Sequence, residues 1–207
     1  MSKKLVLSVG AILIFATQAY AEDGLYASVG GGISFAEDLD FSAEGETVTT
    51  ELDTGFIVGG ALGYQLQAFR LEGEFAFIQN GVDKLSALGI SLGADGDVSV
   101  MSGLANVYFD FDTMTPWTPY IGGGVGFANV ANDVSVMGIQ LVDDDDSVFA
   151  YQVKAGVAYS VNPTTDVTVG YRFLGTDDVS LKTVDGVSIQ GDGPQSHNLE
   201  AGIRFRF

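Results

Sequence analysis

Leu199, Ala201, Ile203, Phe205 and Phe207 are apolar, and Glu200, Gly202, Arg204 and Arg206 stand between them. A repeat of two residues is the period of a β-strand, whose successive side chains point to opposite faces. The segment therefore has one oily face, one charged face and an aromatic last residue. The same alternation marks seven further segments, giving residues 24–35, 54–66, 69–79, 98–111, 119–129, 148–161, 166–174 and 196–207. The third, for example, sets Phe69, Leu71, Phe75 and Phe77 against Arg70, Glu72 and Glu74. An all-β chain of eight antiparallel strands follows.

The connections alternate in length. Gln67-Ala68, residues 112–118 and residues 162–165 are short, whereas residues 36–53, 80–97, 130–147 and 175–195 are long and acidic. The aromatics sort with them. Tyr64, Phe69, Phe109, Phe111, Trp117, Tyr159, Phe205 and Phe207 fall at the short-turn end of the strands. Phe35, Phe56, Phe77, Phe127, Phe149, Tyr151 and Phe173 fall nearer the long-loop end. Two aromatic belts around an apolar band are expected where rings meet lipid headgroups.

Charge sits on the other face. Arg70, Glu72, Glu74, Asp110, Lys154, Arg172, Glu200 and Arg204 share the phase opposite the oily residues, four basic and four acidic. Alternation alone leaves open which face is inside, because a soluble ligand-binding barrel alternates with its apolar face inward. The terminal Phe, the aromatic belts, the Gly-rich strands and the unequal connections favour apolar-outward. The eight charged residues then form a neutral interior network. An eight-stranded barrel is just wide enough for side chains to fill, so the network is expected to act as a plug. A narrow gated pore whose ion pairs exchange partners is the alternative.

The front of the chain reads as a secretory signal peptide, residues 1–21. Ser2-Lys3-Lys4 is basic, residues 5–15 are mostly apolar, and Ala19-Tyr20-Ala21 fits a cleavage site. The expected mature domain is residues 22–207. No other stretch has the roughly 18 apolar residues of a spanning helix. There is no cysteine, so no disulfide framework. The net charge of −18 argues against nucleic acid as a partner, because phosphate binding needs a basic surface. The acidity belongs to the long connections, which hold 19 acidic and 2 basic residues.

Three further passages join this pattern: Leu25-Tyr26-Ala27-Ser28-Val29-Gly30-Gly31-Gly32, Leu104-Ala105-Asn106-Val107-Tyr108-Phe109-Asp110-Phe111, and Thr118-Pro119-Tyr120-Ile121-Gly122-Gly123-Gly124-Val125-Gly126. With the Phe207 end they make the chain resemble the small eight-stranded outer-membrane β-barrels, the barrel of outer membrane protein A and the opacity or surface-antigen type proteins. The resemblance implies an up-and-down transmembrane barrel in the outer membrane of a Gram-negative bacterium, with short periplasmic turns and long extracellular loops. It implies that the strand ending in Phe207 is the insertion signal read by the barrel-insertion machinery. Outer-membrane lipid and lipopolysaccharide would be its surroundings. The resemblance covers the barrel and not the peptidoglycan-binding domain of outer membrane protein A, so it implies no cell-wall anchoring.

Candidate chemistry is sparse. Asp143 to Asp146 suggest divalent cations, since hard cations take carboxylate oxygens, but adjacent Asp residues lack the spaced ligands and turn glycine of a calcium loop. A solvated charge run is the preferred reading. Ser196, His197 and Glu200 suggest nucleophilic catalysis, and some barrels of this kind modify lipids. Alternation puts Ser196 and His197 on opposite faces, so they do not share a proton. The glycines at 122–126 lack phosphate-loop spacing; strand glycines let a curved sheet bend. Residues 134–142 are apolar for a loop, residues 181–189 read as a hairpin around Asp185-Gly186, and residues 94–97 read as a turn. Some strands are therefore expected to continue past the membrane as a β-rim whose edges recruit a surface partner. The expectation is a monomer without cofactor, metal or enzyme activity. It would have a structural or surface-interaction role, as adhesin or surface antigen. A porin-like pore is second and a lipid-modifying enzyme a distant third.

Overall fold

The computed structural model describes residues 23–37, 39–43, 46–87, 90–93, 95–136, 139–182, 188–191 and 193–207. The segment expected to be a signal peptide lies outside them. Thirteen strands follow in order: β1 Gly24–Ala36, β2 Leu39–Ala43, β3 Glu46–Leu52, β4 Gly55–Leu66, β5 Phe69–Ala87, β6 Ile90–Gly93, β7 Asp95–Asp110, β8 Trp117–Val136, β9 Ile139–Asn162, β10 Thr165–Thr176, β11 Val179–Lys182, β12 Ser188–Gly191 and β13 Gln195–Arg206.

Eight of these close a barrel. Every pairing is antiparallel, in the order β4-β1-β13-β10-β9-β8-β7-β5, and β5 pairs back to β4. The first and last barrel strands meet with Gly30 opposite Gly202. Closure leaves no free edge around the wall, as a sheet in lipid requires. At one end the strands join by tight turns; Gln67, at φ 54°, takes the left-handed conformation that a two-residue connection demands.

At the other end the strands run on. The segments expected as long loops are largely paired backbone. β8 and β9 pair from Trp117 and Tyr159 up to Val136 and Ile139, so residues 130–136 and 139–147 form a ladder rather than a loop. β5 continues into a second sheet with β3 and β6, and β2, β12 and β11 extend it. The turn expected at residues 94–97 is corrected: Asp95 to Asp97 begin β7 and pair with Ser135 to Asp133. β11 and β12 form the hairpin expected near residues 181–189, with Asp185-Gly186 outside the described residues. Backbone pairing takes precedence over side-chain polarity here, because a ladder started in the wall can continue beyond it at no cost in loop closure.

The two faces are inverted relative to a water-soluble barrel. Leu62 is 66% exposed and Phe127 71%, whereas Arg70 and Arg172 are 4% and 3% exposed. A continuous apolar skin of this extent marks a lipid-facing surface, and it rejects the apolar-inward alternative. Ring contacts tie the aromatics into the two belts: Phe69, Phe109 and Phe111, and Trp117 with Tyr159, at the short-turn end; Phe56 with Phe77, Phe127 with Phe149, and Tyr151 with Phe173, at the other.

Candidate functional site

Strand alternation sends every second side chain of the eight wall strands inward, and the charged ones converge. Nearest the short turns, Arg70 on β5 donates from Nε to both carboxylate oxygens of Asp110 on β7, each at 2.9 Å. Its guanidinium lies over the ring of Tyr108, 4.3 Å from the centroid, and 5.2 Å from that of Tyr120. Arg204 on β13 donates from Nε to Asp166 at 2.9 Å and lies 3.9 Å from Asp110. Arg206 donates to the same Asp166 at 2.6 Å, and the Ser160 hydroxyl does so at 2.7 Å.

A second layer crosses the middle. Lys154 on β9 lies 3.2 Å from Glu74 on β5 and 3.3 Å from Glu200 on β13. Arg172 on β10 lies 2.5 Å from each of the same two carboxylates. Asn106 and Gln152 donate to Glu74 at 3.1 and 3.3 Å. Between the layers, Glu72 accepts from Tyr26 at 2.8 Å and Tyr108 at 3.1 Å, and lies 4.0 Å from Arg70. All eight charged residues of the inward phase thus occupy the lumen, with every charge opposed by its opposite. Buried ions need such partners, because desolvation otherwise costs several kcal/mol per ion.

Sequence reasoning missed three parts of this interior. Asp166 and Arg206 belong to it, and parity with Arg172 and Arg204 was the available signal. The tyrosines 26, 108 and 120 face inward too. Each lies across a glycine of a neighbouring strand, Tyr26 over Gly63, Tyr108 over Gly122 and Tyr120 over Gly156 and Gly170, where a Cβ would collide with the ring. The third part corrects the picture of a wholly ionic lumen. Toward the long-loop end Ile57, Ile78, Val98, Val100, Val130, Val148 and Leu174 fill the interior, none more than 7% exposed. The lumen is ionic in its short-turn half, and in the other these aliphatic side chains share it with the buried, uncharged Ser34, Asn80, Ser102, Ser196 and Asn198.

A cavity of about 80 Å³ remains beside the middle layer, bounded by Lys154, Arg172, Glu200 and Tyr120 and by small residues of β4, β1, β13 and β10.

The remaining candidates are not brought together. Ser196 faces inward, buried, and accepts from Asn198 at 3.1 Å. His197 faces outward, with Nδ1 2.6 Å from the Tyr171 hydroxyl and Nε2 3.0 Å from Glu37. The side chains of Asp143 to Asp146 lie outside the described residues. Among the described residues no group of three His, Asp or Glu could hold a metal ion. The Phe207 amide donates to the Leu25 carbonyl at 2.9 Å, continuing the β1–β13 ladder.

Comparison with known proteins adds the context. The family model for the outer membrane protein β-barrel domain matches residues 7–207. The chain is 24% identical to outer membrane protein PagN of Salmonella typhimurium over 195 residues, 82% of each chain. It is 27% identical to a candidate adhesin of Rickettsia conorii, over 56% of this chain and 52% of that one. It spans about half the length, 48%, of the Brucella relatives it matches at 30% identity, which are uncharacterized. Its fold resembles outer membrane protein OprG of Pseudomonas aeruginosa, with a TM-score of 0.59 at 14% identity over 89% of this chain and 97% of that one. The inverted faces, the closed antiparallel wall and the family match converge: the chain belongs to the outer membrane protein β-barrel family, and its strands cross the outer membrane.

Proposed function

We propose that the barrel is a closed anchor that presents its extracellular β-rim to another surface, and that it neither conducts nor catalyses. The observation that carries this reading is the filled lumen, where the Lys154–Glu74–Arg172–Glu200 layer and the packed, uncharged layer above it lie in series across the path. A route for ions would have to break buried pairs and then part a packed layer of uncharged side chains, two barriers in series. The partial likeness to a candidate adhesin points the same way. The acidity of the long connections suits a basic partner surface; lipopolysaccharide phosphates would approach it through bridging divalent cations. The rim, with its continuous strand ladders, offers backbone edges of the kind to which an extended segment adds.

Planar-bilayer conductance of the refolded protein tests this, with a heat-modifiable gel shift as the control for folding. A folded, silent barrel that binds cells through its rim is expected. A narrow pore is the second reading, favoured by the cavity beside Lys154 and Glu200. Reproducible steps that change when Glu74 or Lys154 is neutralised would establish that pore and overturn the closed anchor.

A further inference from the structure

We propose that His197 and Glu37 form a proton-operated clasp at the root of the β-rim, which tightens on acidification. The inference concerns the junction of wall and rim and holds whether or not the rim binds another surface.

His197 is the one histidine of the chain. It stands on the outer face in the long-loop belt, opposite Phe35 of β1 and Phe173 of β10. Its ring stacks on that of Tyr171, with centroids 6.0 Å apart, and lies 5.4 Å from that of Phe173. Both nitrogens are taken: Nδ1 is 2.6 Å from the Tyr171 hydroxyl and Nε2 is 3.0 Å from the Glu37 carboxylate. One imidazole thus ties β13 to β10 and to the end of β1. Glu37 is the residue after β1, and β2, the first strand of the rim, begins at Leu39. The Glu37 amide also donates to the carbonyl of Gln195, on the strand that carries His197, at 2.9 Å. The contact from His197 therefore holds the point at which the chain leaves the wall.

Donors and acceptors decide what a proton does here. A carboxylate only accepts, so Nε2 carries a hydrogen whether the ring is neutral or charged. In the neutral ring Nδ1 is an acceptor, and the Tyr171 hydroxyl donates to it. An added proton goes to Nδ1. The contact with Glu37 then becomes an ion pair, stronger than a hydrogen bond from a neutral ring. Tyr171 must turn its oxygen toward the ring and its hydrogen away, toward the headgroups. The cluster passes from one negative charge to none. The groups facing the ring are Glu37 from the end of β1 and Tyr171 from β10, with Phe35 and Phe173 on the flanking strands. His197 and Glu37 are 42% and 54% exposed, so solvent protons reach them. Histidine is the side chain whose charge ordinarily changes between pH 5 and 8, so a response of this chain in that interval has one source.

The test is amide hydrogen exchange of the refolded protein in micelles at pH 5.5 and 7.5, each rate divided by that of an unstructured chain at the same pH. Protection of the Glu37 amide and of the β2 amides is expected to be about threefold higher at pH 5.5, the scale of an exposed ion pair. The Arg206 amide, bonded to Thr164 at the far end of the barrel, should be equally protected at both. Glu37→Gln keeps an acceptor without the charge and should abolish the difference. Equal protection of Glu37 at the two pH values in the parent protein, or the same gain in Glu37→Gln, would overturn the proposal. Should Glu37→Gln not fold, a gain that persists in His197→Gln overturns it equally.

Discussion

Lys154 and Glu74, 80 positions apart in sequence, face each other across the lumen with Nζ 3.2 Å from the carboxylate. Arg172 completes the contact from β10, so one carboxylate opposes two buried cations. Glu74→Gln keeps the shape and removes the charge, stranding part of both. Removing one partner of a buried pair costs about 3–5 kcal/mol. The urea unfolding midpoint in lipid vesicles should fall accordingly. Lys154→Met should cost less, since Arg172 still serves both Glu74 and Glu200. Equal losses for the two variants would contradict the assigned geometry.

The glycines supply a paired prediction. Gly124→Ala would press its methyl into the Asn106 amide, which positions Glu74, whereas a Cβ at Gly73 or Gly103 meets nothing within 4 Å. Gly124→Ala should destabilise by about 1–3 kcal/mol, the usual range for overpacking. Gly73→Ala and Gly103→Ala should sit within about 0.5 kcal/mol of the parent, as unconstrained surface changes do. Denaturant titrations of the three variants check the contrast.

Depth in the membrane should be readable from the outer face. Val169 lies mid-strand on β10 and Val161 near a short turn, and the two are similarly exposed at 62% and 57%. Val169→Arg is expected to cost about 2–4 kcal/mol and Val161→Arg only about 0–1, because the penalty for a cation falls from the bilayer midplane to the interface. Reversible unfolding in thin-lipid vesicles measures both. Equal penalties would mean that the belts do not mark the membrane boundaries.

Arg70 should not tolerate Lys. Its Nε donates to both oxygens of Asp110 while its guanidinium lies over Tyr108, and the point charge of an ammonium does not stack on the ring as the guanidinium plane does. Loss of the desolvated ring contact alone is worth about 2 kcal/mol. Arg70→Lys should also change the near-ultraviolet circular dichroism of the tyrosines while leaving the strand signal intact.

How far the sequence reveals this interior depends on contrast between adjacent residues. Glu74 beside Phe75, or Arg172 beside Tyr171, announces its face because polarity changes at every step. Asp166 and Arg206 carry the same signal but sit next to turns, where the phase is short. Tyr108 gives none, since it stands between Val107 and Phe109 and reads as one more apolar residue. The aliphatic part of the lumen is hidden for the same reason. Phe56-Ile57-Val58 and Phe77-Ile78 are apolar on both faces, so the period of two vanishes where the wall continues. The rim is concealed by its own composition. Asp143 to Asp146 resemble a solvated loop, yet their backbone pairs with residues 130–133 of β8.

The seam between Gly24–Ala36 and Gln195–Arg206 makes construction an all-or-none event. Those two strands come from opposite ends of the fold, so the cylinder stays split until both are present. A chain interrupted after any intermediate hairpin is not a smaller barrel. It is an open sheet with two rows of unsatisfied amides and carbonyls, which hydrocarbon cannot solvate and a neighbouring open sheet can. Nonsense products and premature insertion should therefore end in aggregates rather than in shorter barrels, and the protein's quality control is written into the one ladder that is made last.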